Sequence, residues 1–161
     1  QHQKSYDMLK KLLDNLSDEE KSYKNERYID LINSIILSSI ELNISYDEYI
    51  DDLKLYYKHT LNPYPSVVET LGWVHINKNE LELGENLVFS YMQTHHSYTK
   101  LGLSEIHYHL GTLFLKYNNL KTSLDFFQKS AEYGNGNYFS ERSTYFINKI
   151  RSKLDNDMSQ V

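Results

Sequence analysis

The sequence predicts an all-α fold with about eight helices. Apolar residues recur at intervals of three and four along almost the whole chain, as expected when one face of each helix is buried. No stretch alternates apolar and polar residues over the length of a β-strand. Six glycines and two prolines among 161 residues are too few turn formers for a many-stranded β protein.

The first three helices are predicted from apolar stripes within residues 8–16, 29–40 and 53–57. Ser17 and Ser45 each stand three residues before a glutamate, which is the capping-box spacing of a helix start. Asn43 stands where a left-handed residue would end the second helix. Pro63 and Pro65 mark a boundary, because the residue before a proline disfavours helical backbone.

The later helices follow from stripes within residues 71–74, 87–91, 110–114, 127–131 and 138–150. Ser66 and Asn79 repeat the capping-box spacing, and we expect Asn119 and Asn137 to be simple N-caps. We also expect left-handed helix ends at Asn118 and Gly134. The predicted helices cover about residues 3–16, 24–43, 46–60, 66–78, 80–97, 104–117, 120–133 and 138–154.

Composition excludes several classes of protein. The chain has no cysteine, which excludes thiol catalysis and a disulfide framework and fits a reducing compartment such as the cytoplasm. A net charge of −5 does not suit direct nucleic-acid binding or attachment to an anionic membrane. No apolar run approaches the roughly 20 residues of a membrane span. The chain begins at Gln1 without a signal sequence, and we expect it to be a fragment of a longer protein.

The sequence contains an internal repeat anchored on Leu-Gly pairs. Gly72 and Gly111 each begin a set of residues at the same offsets of twelve, sixteen and nineteen. A third copy has Leu37 in place of the glycine. The residues at these offsets are Gly84, Val88 and Tyr91 after Gly72, Ser123, Phe127 and Ser130 after Gly111, and Tyr49, Leu53 and Tyr56 after Leu37. Small residues at two of these positions let paired helices approach closely, whereas the Leu37 copy demands a wider crossing.

The pattern resembles the tetratricopeptide repeat, which has a period of roughly 34 residues and small residues at its helix crossings. The resemblance implies a right-handed superhelix of antiparallel helix hairpins within one domain, residues 1–161. Its parts would be a partial repeat at 1–23, repeats at about 30–62, 65–100 and 104–136, and a C-terminal capping helix at 138–155.

The same resemblance implies a concave groove lined by the first helix of each repeat. Ligand-facing positions lie three residues before, one after and four or five after each anchor. Carried over to this chain, they are Ser34, Ser38, Glu41, Glu69, Trp73, Asn77, Tyr108, Thr112, Lys116, Arg142 and Lys149. Some have a plain structural alternative: Trp73 as a core residue, Glu69 as the partner of Ser66 in a capping box, and Lys116 and Lys149 as solvated surface.

The expected function is binding of a short peptide or protein segment. The chain resembles the peptide-sensing regulators of Gram-positive bacteria and their phages, in which a repeat domain follows an N-terminal DNA-binding domain and often dimerises. The resemblance therefore implies the ligand-sensing part of a transcription regulator, with homodimerisation. Adaptors that clamp a carboxylate tail are disfavoured, because their groove lysines and asparagines are missing here. The alternative is a structural adaptor or assembly subunit that binds folded partners.

Histidines are the catalytic candidates that we considered. His95 and His96 precede a loop that Glu105, His107 and His109 follow, which suggests a metal or acid–base cluster. Helix geometry opposes it, because residues two apart point in nearly opposite directions. No catalytic or phosphate-binding motif occurs. We therefore expect no enzyme activity, no metal and no cofactor.

Overall fold

The computed structural model describes residues 2–94 and 99–158. These residues form eight α-helices, and no strand occurs among them, which confirms the all-α prediction. The helices are α1 His2–Asp14, α2 Glu26–Leu42, α3 Asp47–His59, α4 Pro65–Asn77, α5 Leu81–Thr94, α6 Lys100–Lys116, α7 Leu120–Gly134 and α8 Tyr138–Met158.

Asparagines fix several helix ends, as the sequence predicts. The Oδ1 atom of Asn119 accepts a hydrogen bond from the Thr122 backbone N–H at 3.2 Å, and Asn137 accepts one from Ser140 at 2.9 Å. Asn43 and Asn118 adopt the left-handed conformation at φ 56° and 58°. These four predictions are confirmed.

Most of the predicted capping boxes do not form at helix starts. Ser17 and Glu20 do bond reciprocally, but around a turn, while α2 begins later with Asn25 as its N-cap. Ser45 caps no helix and donates to the Asp47 carboxylate instead. The box at Ser66 fails because Pro65 starts α4 one residue too early for a serine cap.

Two further helix-end predictions are corrected. Asn79 is left-handed at φ 63° in the turn between α4 and α5, so it does not serve as an N-cap with extended backbone. Gly134 is the last residue of α7, and Asn135 after it is the left-handed C-cap. A Cβ on Gly134 would lie 2.3 Å from the Ser140 Cβ, so this glycine serves the close approach of α8.

Helix boundaries agree within four residues, with the start of α6 and the end of α8 differing most. Helix α8 ends at Met158 and not at 154. Helix α6 begins at Lys100 and not at 104, because the Thr99 hydroxyl accepts from the Gly102 N–H at 3.1 Å and caps the helix. Residues 95–97 of the predicted fifth helix lie outside the described residues. The early start of α6 places Glu105 in the second turn of the helix and not in its first.

The even-numbered helices form one row. The backbones of α2, α4, α6 and α8 approach each other in that order, and α3, α5 and α7 each pack against the two even helices that flank them. The closest pairs are α6 with α7 and then α4 with α5 and α7 with α8, whereas α2 and α3 approach over a shorter stretch. The backbone of α1 packs against α2. We call α2, α4, α6 and α8 the even-helix row.

Glycine makes the close pairs possible. A Cβ on Gly84 would lie 2.6 Å from Ile76 Cγ1 and 2.9 Å from the Gly72 carbonyl oxygen. A Cβ on Gly111 would lie 2.6 Å from the Phe127 ring. Both distances are shorter than real atoms tolerate, so the predicted small-residue crossings are confirmed.

Two serines take the place of small apolar residues at the α6–α7 crossing. Ser123 donates to the Gly111 carbonyl at 2.8 Å, and Ser130 donates to the Ser104 carbonyl at 2.7 Å. Both side chains are fully buried. Because each hydroxyl has a backbone acceptor, these hydrogen bonds offset the cost of burying the polar groups and connect the two helices.

Buried apolar residues divide into two clusters that meet at α4. The N-terminal core comprises residues of α1, α2 and α3 and includes Leu71 and Val74 of α4. The C-terminal core comprises residues of α5 to α8 and includes Trp73 and Ile76 of α4. Opposite faces of one helix therefore belong to different cores. Within the described residues, no helix is both long and apolar enough to cross a membrane.

Candidate functional site

A pocket of about 220 Å³ opens where the even-helix row meets α1. All four helices of the row contribute to it, and α1 closes one side. The residues lining it are Ser5, Leu9, Ser34, Leu37, Ser38, Glu41, Trp73, Glu105, His109 and Phe139. We call it the central pocket.

Four of the residues predicted for the groove meet here. Ser34, Ser38 and Glu41 recur at helical spacing on one face of α2, and Trp73 faces them from α4. Glu69 lies one turn before Trp73 and places Oε1 3.3 Å from His109 Nδ1, at the pocket wall. The structure therefore brings five of the eleven predicted residues to one place.

Glu69 is a correction within this group. The sequence pairs it with Ser66 in a capping box, but α4 already begins at Pro65 and the Glu69 side chain packs against His109. Glu69 is 8% exposed and His109 is 1% exposed. A buried carboxylate beside a buried imidazole is a tertiary contact between α4 and α6 that local sequence patterns do not report.

Burial sets the protonation of the acidic and basic groups in the pocket. Burial, followed by the charge of Glu69, raises the pKa of Glu105 to about 7, with a smaller contribution from Glu41. Burial lowers the pKa of His109, so its ring is neutral near pH 7. Glu105 makes no hydrogen bond or ion pair within the described residues. The nearby His109 ring lowers the pKa of Glu105, but by less than burial raises it.

Aromatic rings form the rest of the wall. The Trp73 ring stacks on His109 at a centroid distance of 4.2 Å and meets Tyr108 edge-on at 5.9 Å. Trp73 is 3% exposed, so it is a core residue as well as a pocket residue. Tyr108 is buried behind it and contacts Phe127 and Phe139. The two readings of Trp73 are therefore compatible.

The other predicted groove residues lie around or away from the pocket. The Arg142 guanidinium lies 5.6 Å over the Phe146 ring and close to Tyr108 and Glu41. Thr112 donates to the Tyr108 carbonyl at 3.0 Å. Asn77 is exposed at the end of α4 and donates to the Trp73 carbonyl. Two lysines are exposed and line no part of the central pocket: Lys116 and Lys149.

The two described histidines of the predicted cluster, His107 and His109, contact different neighbours. His107 bonds to the Leu103 carbonyl at 2.7 Å and contacts Phe126 and Tyr133, whereas His109 faces Trp73. His95 and His96 lie outside the described residues. Across residues 2–94 and 99–158, no group of three acidic or histidine side chains could hold a metal ion.

The groove prediction missed six of the ten residues that line the pocket: Ser5, Leu9, Leu37, Glu105, His109 and Phe139. Ser5 and Leu9 lie on α1, to which the resemblance gives no groove position. Glu105 lies one turn before the groove position at Tyr108 and within the predicted helix, so a rule extended by one turn along that face includes it. The sequence predicts Leu37 as a helix-crossing residue and offers His109 as a metal ligand. Phe139 lies at the start of α8, where no Leu-Gly anchor sets the register.

Comparison with known proteins gives no relative: no family model, no curated protein and no solved structure matches this chain. The geometry of the central pocket therefore carries the functional argument.

Proposed function

We propose that this chain binds an extended peptide or protein segment along the even-helix row, with the central pocket as its anchor. The observation that carries the proposal is that all four helices of the row contribute side chains to one pocket. A ligand seated there touches the first and last helix of the row at once. That arrangement supports recognition of a segment that runs across successive helices.

The size of the pocket supports an anchor site for a larger ligand. Pockets that enclose whole small molecules are typically about 300–1,000 Å³. The central pocket, at about 220 Å³, is smaller and suits one side chain of a longer chain. Ser34 and Ser38 offer hydroxyl groups at its rim, and Trp73 supplies a rigid aromatic surface of the kind that dominates binding hot spots.

Trp73 is the only tryptophan, so its fluorescence reports directly on the pocket. We would titrate the protein with pools of random heptapeptides and follow the emission of Trp73. A saturable change is expected for a subset of pools, together with a rise in melting temperature, because a ligand that binds only the folded state stabilises it.

The matched variants are Ser34→Leu, which fills the pocket, and Ser152→Leu, which makes the same change on an exposed part of α8. Ser34→Leu should weaken peptide binding at least about tenfold, and Ser152→Leu should leave it unchanged. Equal binding by both variants would contradict the proposal. Absence of any saturable pool, with a stable complex to a folded partner, would favour the adaptor alternative.

We further propose that this binding serves a bacterial transcription regulator, as the resemblance to peptide-sensing repeat domains implies. The expected readout is a change of association state on binding, since such regulators often act as dimers. Light scattering during gel filtration, with and without a binding pool, measures it. A monomer in both conditions, at concentrations well above the dissociation constant of the peptide, would count against a dimeric regulator.

A further inference from the structure

We propose that the central pocket takes a basic side chain, lysine or arginine, of the bound segment, with the cationic head against Glu105 and Glu41 and the aliphatic stem along the apolar wall. This inference rests on the proposed function and names the chemistry that the site selects. It follows from three observations: a pocket carboxylate without a hydrogen bond or ion pair within the described residues, a buried imidazole nitrogen without a hydrogen-bond partner, and the apolar residues of the wall.

The three carboxylates near the pocket differ in what compensates them. Glu41 accepts a hydrogen bond from the Tyr138 hydroxyl and lies close to Arg142. Glu69 lies beside the neutral ring of His109 and has a further interaction with a neighbouring residue. Glu105 has neither a hydrogen bond nor an ion pair within the described residues, although its side chain lines the pocket. A cation from outside would complete this site, because buried carboxylates are stable when they are paired.

One more polar atom at the same wall lacks a hydrogen bond. His109 Nδ1 is buried without a hydrogen-bond partner, and its side chain lines the pocket. It comes within 3.3 Å of Glu69 Oε1 but is not aligned to bond with it. Buried polar groups in native proteins are normally satisfied. An imidazole nitrogen without a proton accepts a hydrogen bond, so this atom suits a donor such as an ammonium or guanidinium group.

Among the described residues, no lysine or arginine lines the pocket. Arg142, the nearest basic group described above, lies against Tyr108 and the Phe146 ring and close to Glu41. The lining of the pocket thus contains two carboxyl groups and no lysine or arginine.

The apolar part of the wall fits the stem of a basic side chain. Four apolar side chains line the pocket together with Glu105: Leu9, Leu37, Trp73 and Phe139. Lysine and arginine commonly lay their methylene stems on apolar surface while the head reaches a polar group. The pocket lies amid all four helices of the row, so a segment that follows the row can insert a side chain without ending there. A side chain is therefore favoured over an amino terminus.

The first test uses small probes and does not need a peptide. n-Butylguanidinium and n-butylammonium are titrated against Trp73 fluorescence, with n-butylurea as the neutral control. Both cations should bind saturably, and the neutral probe should bind much more weakly. Glu105→Gln should weaken cation binding about 10- to 100-fold, the range expected for a charge-assisted hydrogen bond. Glu132→Gln, the same change on an exposed part of α7, should have no effect.

Equal affinity for the neutral and cationic probes, or no effect of Glu105→Gln, overturns the inference. Glu41→Gln is the second variant, with a smaller expected loss because Tyr138 and Arg142 already compensate that carboxylate. Melting curves of each variant confirm that it is folded before titration.

The second test uses heptapeptide pools with one central residue fixed as lysine, arginine, norleucine or citrulline, each with a free or acetylated amino terminus. Binding that requires lysine or arginine supports the inference. Binding that requires only a free amino terminus overturns the side-chain assignment. Binding by all pools overturns the inference but still supports peptide binding as the proposed function. If the small cations bind and no peptide pool does, the pocket is a cation site and the proposed peptide-binding function is wrong.

Discussion

The two cores of this protein use the same helix-pair arrangement with different packing. In the C-terminal region, Gly84 and Gly111 let helices touch through backbone atoms. In the N-terminal region, the equivalent positions hold Leu37 and Tyr49, and α2 and α3 approach over a shorter stretch. The central pocket lies where the face of α2 meets α4 and α6. The difference teaches that glycine at a crossing lets two helices touch through backbone atoms, whereas large residues keep α2 and α3 apart. Helix α3 contributes no residue to the central pocket, which α2 lines together with α1, α4, α6 and α8.

The largest expected loss of stability comes from truncating the side chain that lies sixteen residues after a repeat anchor, Phe127 in one core and Leu53 in the other. Phe127→Ala should lower the free energy of unfolding by about 3–5 kcal/mol, because it empties a fully buried aromatic site in a rigid crossing. Leu53→Ala, also at a fully buried site, should cost about 2–3 kcal/mol, because α2 and α3 can close into the space. Urea unfolding measures both. A larger loss for Leu53→Ala would reverse the comparison.

The next effect concerns the acid at the boundary between the two regions. Burial, followed by the charge of Glu69, raises the folded-state pKa of Glu105 from 4.5 to about 7. The folded state then holds this proton more tightly than the unfolded state, so stability is lost as pH rises from about 4.5 to 7. Glu105→Gln should therefore be about 2–3 kcal/mol more stable than the wild type at pH 8 and equal to it at pH 4.

Urea unfolding at a series of pH values measures this difference. Glu41, Glu69 and His109 also face this carboxyl, so the same series on Glu132→Gln serves as the baseline. A constant gap between wild type and Glu105→Gln across the series would exclude a raised pKa. Affinity for n-butylguanidinium should rise from pH 6 to pH 8, since the ionised form of Glu105 binds the cation.

A smaller effect tests the glycine crossings directly. Gly84→Ala should cost about 2 kcal/mol, because the new Cβ meets Ile76 and the backbone of Gly72. Gly102→Ala is the matched control, since its Cβ would lie 3.5 Å from Thr99 Oγ1 and helical alanine is favoured over glycine by about 0.5–1 kcal/mol. Opposite signs in urea unfolding are expected. Similar losses of stability for both variants would show that Gly84 is no more tightly packed than Gly102.

The smallest expected loss of stability comes from removing an N-cap, and it should be equal in the two regions. Asn25→Ala and Asn119→Ala each remove an N-cap that accepts backbone hydrogen bonds at the start of α2 and α7. Each should cost about 1 kcal/mol. Unequal costs in urea unfolding would mean that the two regions differ in more than their crossings.

The sequence predicted the helices well because their signals are local. Apolar periodicity, Asn119, Asn137 and the glycine crossings depend on spacing along the chain, and the structure confirms them. Ser45 and Ser66 carried the same kind of local signal and failed, since a capping box needs extended backbone at the serine. Pro65 had already started α4 before Ser66.

The central pocket was only partly predictable. The tetratricopeptide resemblance implies Ser34, Ser38 and Glu41 as groove residues, and all three line the pocket from α2. That Glu105 and Glu69 lie close enough to influence each other depends on how α4 packs against α6, and no spacing rule reports the distance between two helices. The anionic character of the site is therefore a tertiary property of this chain.

Helix α4 connects the two cores. Leu71 and Val74 belong to one core while Trp73 and Ile76 belong to the other, so neither core can open without exposing half of this helix. Local opening, as hydrogen exchange detects it, should therefore spread through α4 from one core to the other. A ligand that bridges α2 to α6 and α8 would suppress that opening at both ends of the chain, so occupancy of a single cavity becomes visible in amides far from it.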